Sequence, residues 1–122
     1  MAQSANIVNV KVICDEETNQ NVANIIQAFE DILKEHTSRR DANPPTPNWR
    51  GSVVSMSFGT ISKNNAVGRA LGNLKDAGAL SVAAAGNMGT DQPEYPCSYE
   101  PVICVGASDQ RYGRWVGCSR LS

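Results

Sequence analysis

The sequence predicts an α/β fold, specifically a three-layer parallel sheet with flanking helices. Short apolar runs alternate with amphipathic stretches of helical period, which is typical of parallel strands joined by helices. A second observation is the run at residues 79–87, where small and β-branched residues are bounded by Gly78 and Gly86. A continuous apolar run of this kind is typical of a strand buried on both faces.

The first half of the chain supplies one strand and one long helix. Residues 7–13 are rich in β-branched side chains and are predicted to form the first strand. The helix is predicted at residues 20–36, because apolar residues recur there at three- and four-residue steps: Val22, Ile25, Ile26, Phe29, Ile32 and Leu33. His36 is interpreted as a solvated residue at the helix C-terminus, where a partly charged imidazole is mildly favourable.

A surface loop is predicted next, at residues 37–50, because its prolines exclude both a helix and a sheet interior: Pro44, Pro45 and Pro47. The second strand is predicted at residues 51–59 and ends at a glycine. The second helix is predicted at residues 62–77, with Gly78 as its C-terminal stop.

The remaining elements are the third strand, a loop, a fourth strand and a tail. The loop is predicted at residues 88–101, which contain three prolines, and the fourth strand at residues 102–106. Apolar residues are only scattered from residue 108 to the end, so we expect little regular structure there. The order of elements favours right-handed crossovers between parallel strands.

In an open α/β sheet, ligands gather beyond the carboxyl ends of the strands. Asn87 comes soon after the third strand, and its amide can both donate and accept hydrogen bonds. The segment Ser57-Phe58-Gly59 ends the second strand in the same way. From the residues alone, both segments also suit plain strand ends, since Gly-Asn is a common turn sequence.

Composition excludes several classes of protein. A formal net charge of −1 and a pI near 5.7 give no basic field, so no nucleic-acid partner is implied. No run approaches transmembrane length, and residues 1–6 lack the features of a signal peptide, so neither a membrane nor a particular compartment is indicated. A single histidine and no Cys-x-x-Cys pair argue against a zinc site. The cysteines could be buried thiols or form disulfides, and their spacing does not choose a pairing: Cys14, Cys97, Cys104 and Cys118.

Four motifs together resemble the central part of subtilisin-like serine proteases, and in particular the proteinase K-like branch from fungi. They are Val-Lys-Val-Ile at 10–13, Gly-Ser-Val-Val-Ser-Met-Ser-Phe-Gly at 51–59, Val-Ala-Ala-Ala-Gly-Asn at 82–87 and Val-Ile-Cys-Val-Gly-Ala-Ser-Asp at 102–109. Because the similarity ends near Arg114, we interpret residues 1–114 as a partial subtilisin-like peptidase domain and residues 115–122 as a divergent tail. The resemblance implies a partial subtilisin-like fold, a polypeptide substrate and hydrolysis of peptide bonds through an acyl-enzyme.

The resemblance also implies roles for individual residues. Asn87 is similar to the oxyanion-hole asparagine, whose amide donates to the negative oxygen that develops on the attacked carbonyl. One wall of the primary specificity pocket would be the segment that pairs with the substrate backbone: Ser57, Phe58 and Gly59. The facing wall would be formed by the end of the third strand: Ala84, Ala85 and Gly86.

No cofactor is expected from the resemblance. Pro101 and Ile103 match positions whose carbonyls bind calcium in the fungal branch, but the acidic partner expected downstream is missing. Cys104 matches a family cysteine whose disulfide partner would also lie downstream, and Cys118 is its only local substitute.

The catalytic triad of such a protease is Asp, His and Ser in that chain order, and none of the three stands at a matching position. Neither Ser119 nor Ser122 lies in the expected Gly-Thr-Ser motif, and His36 lies in a different element. We therefore expect part of a serine endopeptidase that retains the oxyanion-hole and substrate-binding segments and is inactive alone. The alternative is a non-catalytic α/β module that binds extended peptides or associates with a complete protease chain.

Overall fold

The computed structural model describes residues 4–13 and 18–119, with no side-chain detail at 18–20. Its regular elements are α1 at Thr18–Arg40, β1 at Val53–Met56, α2 at Asn65–Ala77, β2 at Leu80–Ala84 and β3 at Val102–Val105. β2 is the central strand and pairs in parallel with both β1 and β3. The α/β class and the parallel sheet are confirmed.

The register brings the carboxyl ends of all three strands to one edge of the sheet. Met56 at the end of β1 lies opposite Ala83, and Val105 at the end of β3 lies opposite Ala84. The segments after the strands therefore start side by side, as the sequence predicts for ligand-binding residues in such a sheet.

The hydrophobic core lies between α2 and one face of the sheet, and α1 packs against α2. Leu71 and Leu74 of α2 have no exposed surface, and they meet Met56 and Ala83 from the sheet in one cluster. α1 adds the apolar face that its helical period predicts, with Phe29 buried at its centre.

The opposite face of the sheet is open among the residues that the structure describes. Four of its large apolar side chains are about half exposed or more: Val53 66%, Leu80 55%, Ile103 52% and Val105 49%. The prediction that the run at 79–87 is buried on both faces is therefore wrong, because Ser81 and Ala83 are covered by α2 whereas Leu80 is not. Within 4–13 and 18–119, helices cover one face of the sheet.

The predicted first strand at residues 7–13 is also wrong. These residues form no helix or strand, and Ile7 and Val8 are 87% and 82% exposed. A β-branched composition favours a strand only where a neighbouring strand supplies hydrogen bonds and packing, and no described strand lies beside this segment.

α1 continues four residues past its predicted end, and this changes the surroundings of His36. The side chain is 2% exposed, its ring packs edge-on against Trp49 with centroids 5.1 Å apart, and Nε2 lies 3.0 Å from the Ala77 carbonyl oxygen. Since a carbonyl only accepts, Nε2 carries the proton of this hydrogen bond. The prediction of a solvated His36 is wrong, because α2 and the loop after α1 cover it.

α2 is capped at both ends by side-chain and backbone groups of the kinds that the sequence indicates. Gly78 adopts a left-handed conformation (φ 92°) and donates its N–H to the last turn, which confirms the predicted stop. At the other end the Asn64 carboxamide oxygen accepts from Ala66 N and Val67 N, at 2.9 and 3.2 Å. The helix therefore begins at Asn65 and not at the predicted Ser62, because Asn64 holds the extended conformation of an N-cap.

Two glycines of α2 are expected to respond in opposite ways to alanine. Gly72 has open space where a Cβ would lie, so Gly72→Ala should raise the free energy of unfolding by about 0.5–1 kcal/mol through helix propensity. A Cβ at Gly68 would lie 2.9 Å from Tyr99 Cε1, and overpacking should make Gly68→Ala destabilising by about 1 kcal/mol or more. Tyr99 cannot easily withdraw, because its hydroxyl donates to Asn64 O at 2.6 Å and accepts from Asn64 N at 2.9 Å.

Urea unfolding followed by circular dichroism at 222 nm would measure both changes. Each variant is the other's control, since both replace a glycine in the same helix. Stabilisation by both substitutions would contradict the packing of Tyr99 on Gly68.

Candidate functional site

A cleft of about 330 Å³ lies at the carboxyl ends of the three strands. Its lining includes the end of each strand and the residues just after it: Ser55, Met56 and Ser57; Ala83, Ala84, Ala85, Gly86 and Asn87; Val105, Gly106 and Ala107. The structure thus brings five of the seven predicted site residues to one cavity: Ser57, Ala84, Ala85, Gly86 and Asn87.

The segment between β2 and Asn87 is held by hydrogen bonds on several sides. Ala85 N donates to Val105 O at 2.9 Å, and Ala85 O accepts from Glu94 N at 3.0 Å. Gly86 O accepts from Ser119 N at 3.1 Å, and Gly86 has a φ of 96°, a value that suits glycine. This turn ends the strand and leaves Asn87 exposed at the rim of the cleft.

Two of the predicted wall residues lie outside the lining of this cleft. The Phe58 side chain is half-buried and packs against the hydrophobic core. Gly59 faces the loop that connects β2 to β3, where its nearest neighbour is Glu94. Of this segment, Ser57 lines the cleft, whereas Phe58 and Gly59 do not.

Glu94 lies beside this cleft, outside its lining, and the sequence did not indicate it. Its carboxylate lies between Gly59 and Gly86, against both glycines. A Cβ at Gly59 would come within 3.1 Å of Glu94 Cβ, and one at Gly86 within 2.8 Å of Glu94 Cγ. The two facing walls of the predicted pocket thus enclose an acidic side chain.

The loop that carries Glu94 is tied to the sheet by backbone hydrogen bonds and a disulfide. Tyr95 N donates to Thr60 O at 2.8 Å, and Thr60 N donates to Tyr95 O at 2.9 Å. Cys97 forms a disulfide with Cys104 of β3, and their Cα atoms are 4.8 Å apart. Glu94 therefore projects from a fixed backbone.

The substitute partner that the resemblance implied for Cys104, Cys118, does not pair with it, because Cys104 forms its disulfide with Cys97. Among the cysteines that the structure describes, Cys118 is free and buried. Its sulfur accepts a hydrogen bond from Ala107 N at 3.1 Å, and the residue lines the cleft. Cys14 lies outside the described residues.

Metal-binding clusters and membrane-spanning helices are both absent from the described residues. Within 4–13 and 18–119, no group of three or more His, Cys, Asp or Glu side chains is placed to hold a metal ion. None of the helices in these ranges is long and apolar enough to cross a membrane.

Comparison with known proteins matches residues 1–120 to the Subtilase family. Proteinase R of Parengyodontium album is 33% identical over 115 residues, which are 93% of this chain and 27% of that protein. A thermostable alkaline protease of Halalkalibacterium halodurans is 29% identical over 110 residues, which are 90% of this chain and 26% of that protein. The chain thus spans about a quarter of the length of these curated relatives.

The fold has solved counterparts as well. The structure of the prenylagaramide maturation protease PagA superposes on this one with a TM-score of 0.66 and 19% sequence identity. The aligned part covers 88% of this chain and 35% of the PagA chain. The likeness at this identity concerns the fold, and it agrees with the family match over nearly the whole sequence. The chain belongs to the Subtilase family.

Proposed function

We propose that this chain carries the substrate-binding part of a subtilase active site, in which the strand-end cleft binds an extended polypeptide. The convergence of Ser57, Ala84, Ala85, Gly86 and Asn87 on one cavity supports this proposal most directly. These five residues come from two separate segments of the chain and include all but two of the predicted site residues.

The arrangement suits recognition of a peptide through its backbone. β1 is an edge strand of the described sheet, so an extended peptide can lie beside the segment that continues it and form main-chain hydrogen bonds. Small side chains at Ala84 and Ala85 leave room for a ligand side chain. The Asn87 amide at the rim would donate a hydrogen bond to a peptide carbonyl oxygen.

Asn87 would act in the same way on the oxyanion of a tetrahedral intermediate. Loss of the corresponding donor in a subtilisin lowers turnover about a hundred- to a thousandfold. Its effect on a bound ground-state peptide is smaller, because a neutral carbonyl lacks the developing negative charge, and a net hydrogen bond contributes about 0.5–1.5 kcal/mol.

We also propose that the chain does not hydrolyse peptide bonds by itself. His36 is its one histidine, and its Nε2 is bonded to Ala77, just before β2 begins. Asn87 lies beyond the other end of β2, whose five residues span roughly 16 Å. A general base must lie within hydrogen-bond reach of its nucleophile, so His36 cannot serve a nucleophile beside Asn87. Ser119, close to the cleft, is fully buried and accepts a hydrogen bond from Thr90.

Peptide titration tests both parts of the proposal. A fluorescein-labelled peptide of about five residues, titrated with the purified chain, should show saturable fluorescence anisotropy and stay intact by mass spectrometry. Asn87→Ala should weaken binding about two- to tenfold through the lost hydrogen bond. Asn73→Ala is the matched control, because Asn73 lies on α2, away from the cleft.

Three outcomes would contradict the proposal. Absence of saturable peptide binding would contradict the proposed peptide-binding function. Equal changes in peptide affinity in Asn87→Ala and Asn73→Ala would contradict the role of Asn87 in binding. Turnover that a serine-directed inhibitor abolishes, and that persists through purification, would overturn the proposed lack of catalysis.

A further inference from the structure

We propose that Glu94, which lies beside the cleft between Gly59 and Gly86, makes the site selective for peptides that present a cationic side chain, lysine or arginine. The inference rests on the proposed peptide-binding function and adds to it the class of ligand and the residue that selects it. Three features of the described residues support it: the position of the carboxylate between two glycines, the anchored backbone beneath it and its charge.

The carboxylate lies where a ligand side chain would enter between the two walls. Gly59 follows β1 and Gly86 follows β2, and the Glu94 side chain touches both. Either glycine, given a Cβ, would collide with it. The gap between the walls therefore ends at a carboxylate and not at an apolar surface.

Glu94 is held at this place by its own main chain. Its N–H donates to Ala85 O and its carbonyl accepts from Ser98 N, both at 3.0 Å. The next residue bridges to Thr60, and the disulfide at Cys97 follows two residues later. An anchored backbone limits the positions that the side chain can reach, so less ordering entropy opposes the contact.

The charge of Glu94 is not neutralised by the described part of the chain. Four ion pairs occur there, and their acidic members are other residues: Asp31, Glu35, Asp41 and Glu100. Because none of the ion pairs among the described residues includes this half-buried carboxylate, a lysine or arginine of a peptide could pair with it. Hydrogen bonds between such charged groups are stronger than neutral ones and favour the complementary partner.

The position of Glu94 between the two glycines favours the same ligands. Because Glu94 occupies the space between the glycines, a bulky apolar side chain would have to displace it and desolvate the carboxylate without a partner, which is unfavourable. Lysine and arginine place a slender apolar stem along the walls and a charge at the tip. An acidic side chain would meet like charge.

Three fluorescein-labelled peptides, Ala-Ala-Ala-Xaa-Ala with Xaa lysine, norleucine or glutamate, would test the proposal. Norleucine has the stem of lysine without its charge. We expect the lysine peptide to bind about tenfold more tightly than the norleucine peptide, the glutamate peptide to bind weakest, and the lysine preference to shrink in about 0.5 M salt. Glu94→Gln should remove the preference. Glu100→Gln should keep it, because Glu100 is an exposed acid of the same loop that pairs with Lys75.

The outcomes separate this inference from the proposed function. Equal binding of all three peptides by the unaltered chain, with Asn87→Ala still weakening them, would overturn the selectivity and leave peptide binding intact. Failure of every peptide to bind would overturn the proposed function and the inference with it. The salt dependence of the lysine preference is measured on the unaltered chain, so the test stands even where Glu94→Gln folds poorly.

Discussion

Leu74→Ala is expected to lower the free energy of unfolding by about 2–5 kcal/mol, the range for truncating a fully buried leucine. Leu74 has no exposed surface and belongs to the cluster that joins α2 to the sheet. α1 reaches the sheet mainly through α2, so a cavity here weakens both helix contacts. Domains of this size are typically stable by about 5–15 kcal/mol, so the loss is a large share. Urea unfolding, followed by circular dichroism, would measure it.

Leu80→Ala is the matched control, because it removes the same atoms from the neighbouring strand. Leu80 is 55% exposed on the open face of the sheet, and we expect a loss of less than about 1 kcal/mol. Equal losses at the two positions would contradict the one-sided core. A concentration-dependent loss at Leu80 alone would show that the open face is covered by association in solution.

The elements that the sequence predicts best are those fixed by neighbours in sequence. α2 ends at Gly78 because a left-handed residue is needed there, and glycine adopts that conformation without strain. The apolar face of α1 follows from the helical period, and Phe29 is buried as that period predicts. Both signals are local, so no knowledge of the tertiary structure is required to find them.

The predictions that fail depend on partners elsewhere in the chain. Residues 7–13 have the composition of a strand, but a strand also needs an adjacent ladder, which composition cannot reveal. β2 has the composition of a strand covered on both faces, and α2 covers one of them. His36 is buried by Trp49 and Ala77, which are 13 and 41 residues away.

The residues of the candidate site show the same difference between local and long-range signals. Asn87 and its preceding glycine could be predicted because motifs mark the ends of strands, and parallel strands bring their ends together. Glu94 could not, because the side chain that a loop directs toward the walls depends on the path of that loop. The Cys97–Cys104 disulfide and the bridge between Thr60 and Tyr95 fix this path, and neither follows from spacing.

Gly86→Ala is expected to destabilise the chain by about 2–5 kcal/mol, through two separable causes. A left-handed φ of 96° is costly for alanine, by about 1–2 kcal/mol. The new Cβ would also lie 2.8 Å from Glu94 Cγ, and relief of that overlap adds about 1–3 kcal/mol. Chemical unfolding of the purified variant would give the sum of the two.

Combining Gly86→Ala with Glu94→Ala separates the causes, because truncation of Glu94 removes the overlap and leaves the backbone conformation. We expect the double variant to recover the overlap part, so that the two substitutions couple by about 1–3 kcal/mol. Gly78→Ala provides the matched backbone control. Its φ is 92°, and the nearest atom to its Cβ would be His36 Nε2 at 3.9 Å, so only the conformational cost applies.

A double-mutant cycle at Gly86 and Glu94 therefore tests the placement of the carboxylate without any ligand. Coupling near zero, with Gly86→Ala no more costly than Gly78→Ala, would show that Glu94 does not lie against the end of β2. The geometric basis for cation selectivity would then be lost, whatever the chain binds. Strong coupling would establish that the acidic side chain lies against Gly86 in solution, where a cationic ligand side chain would reach it.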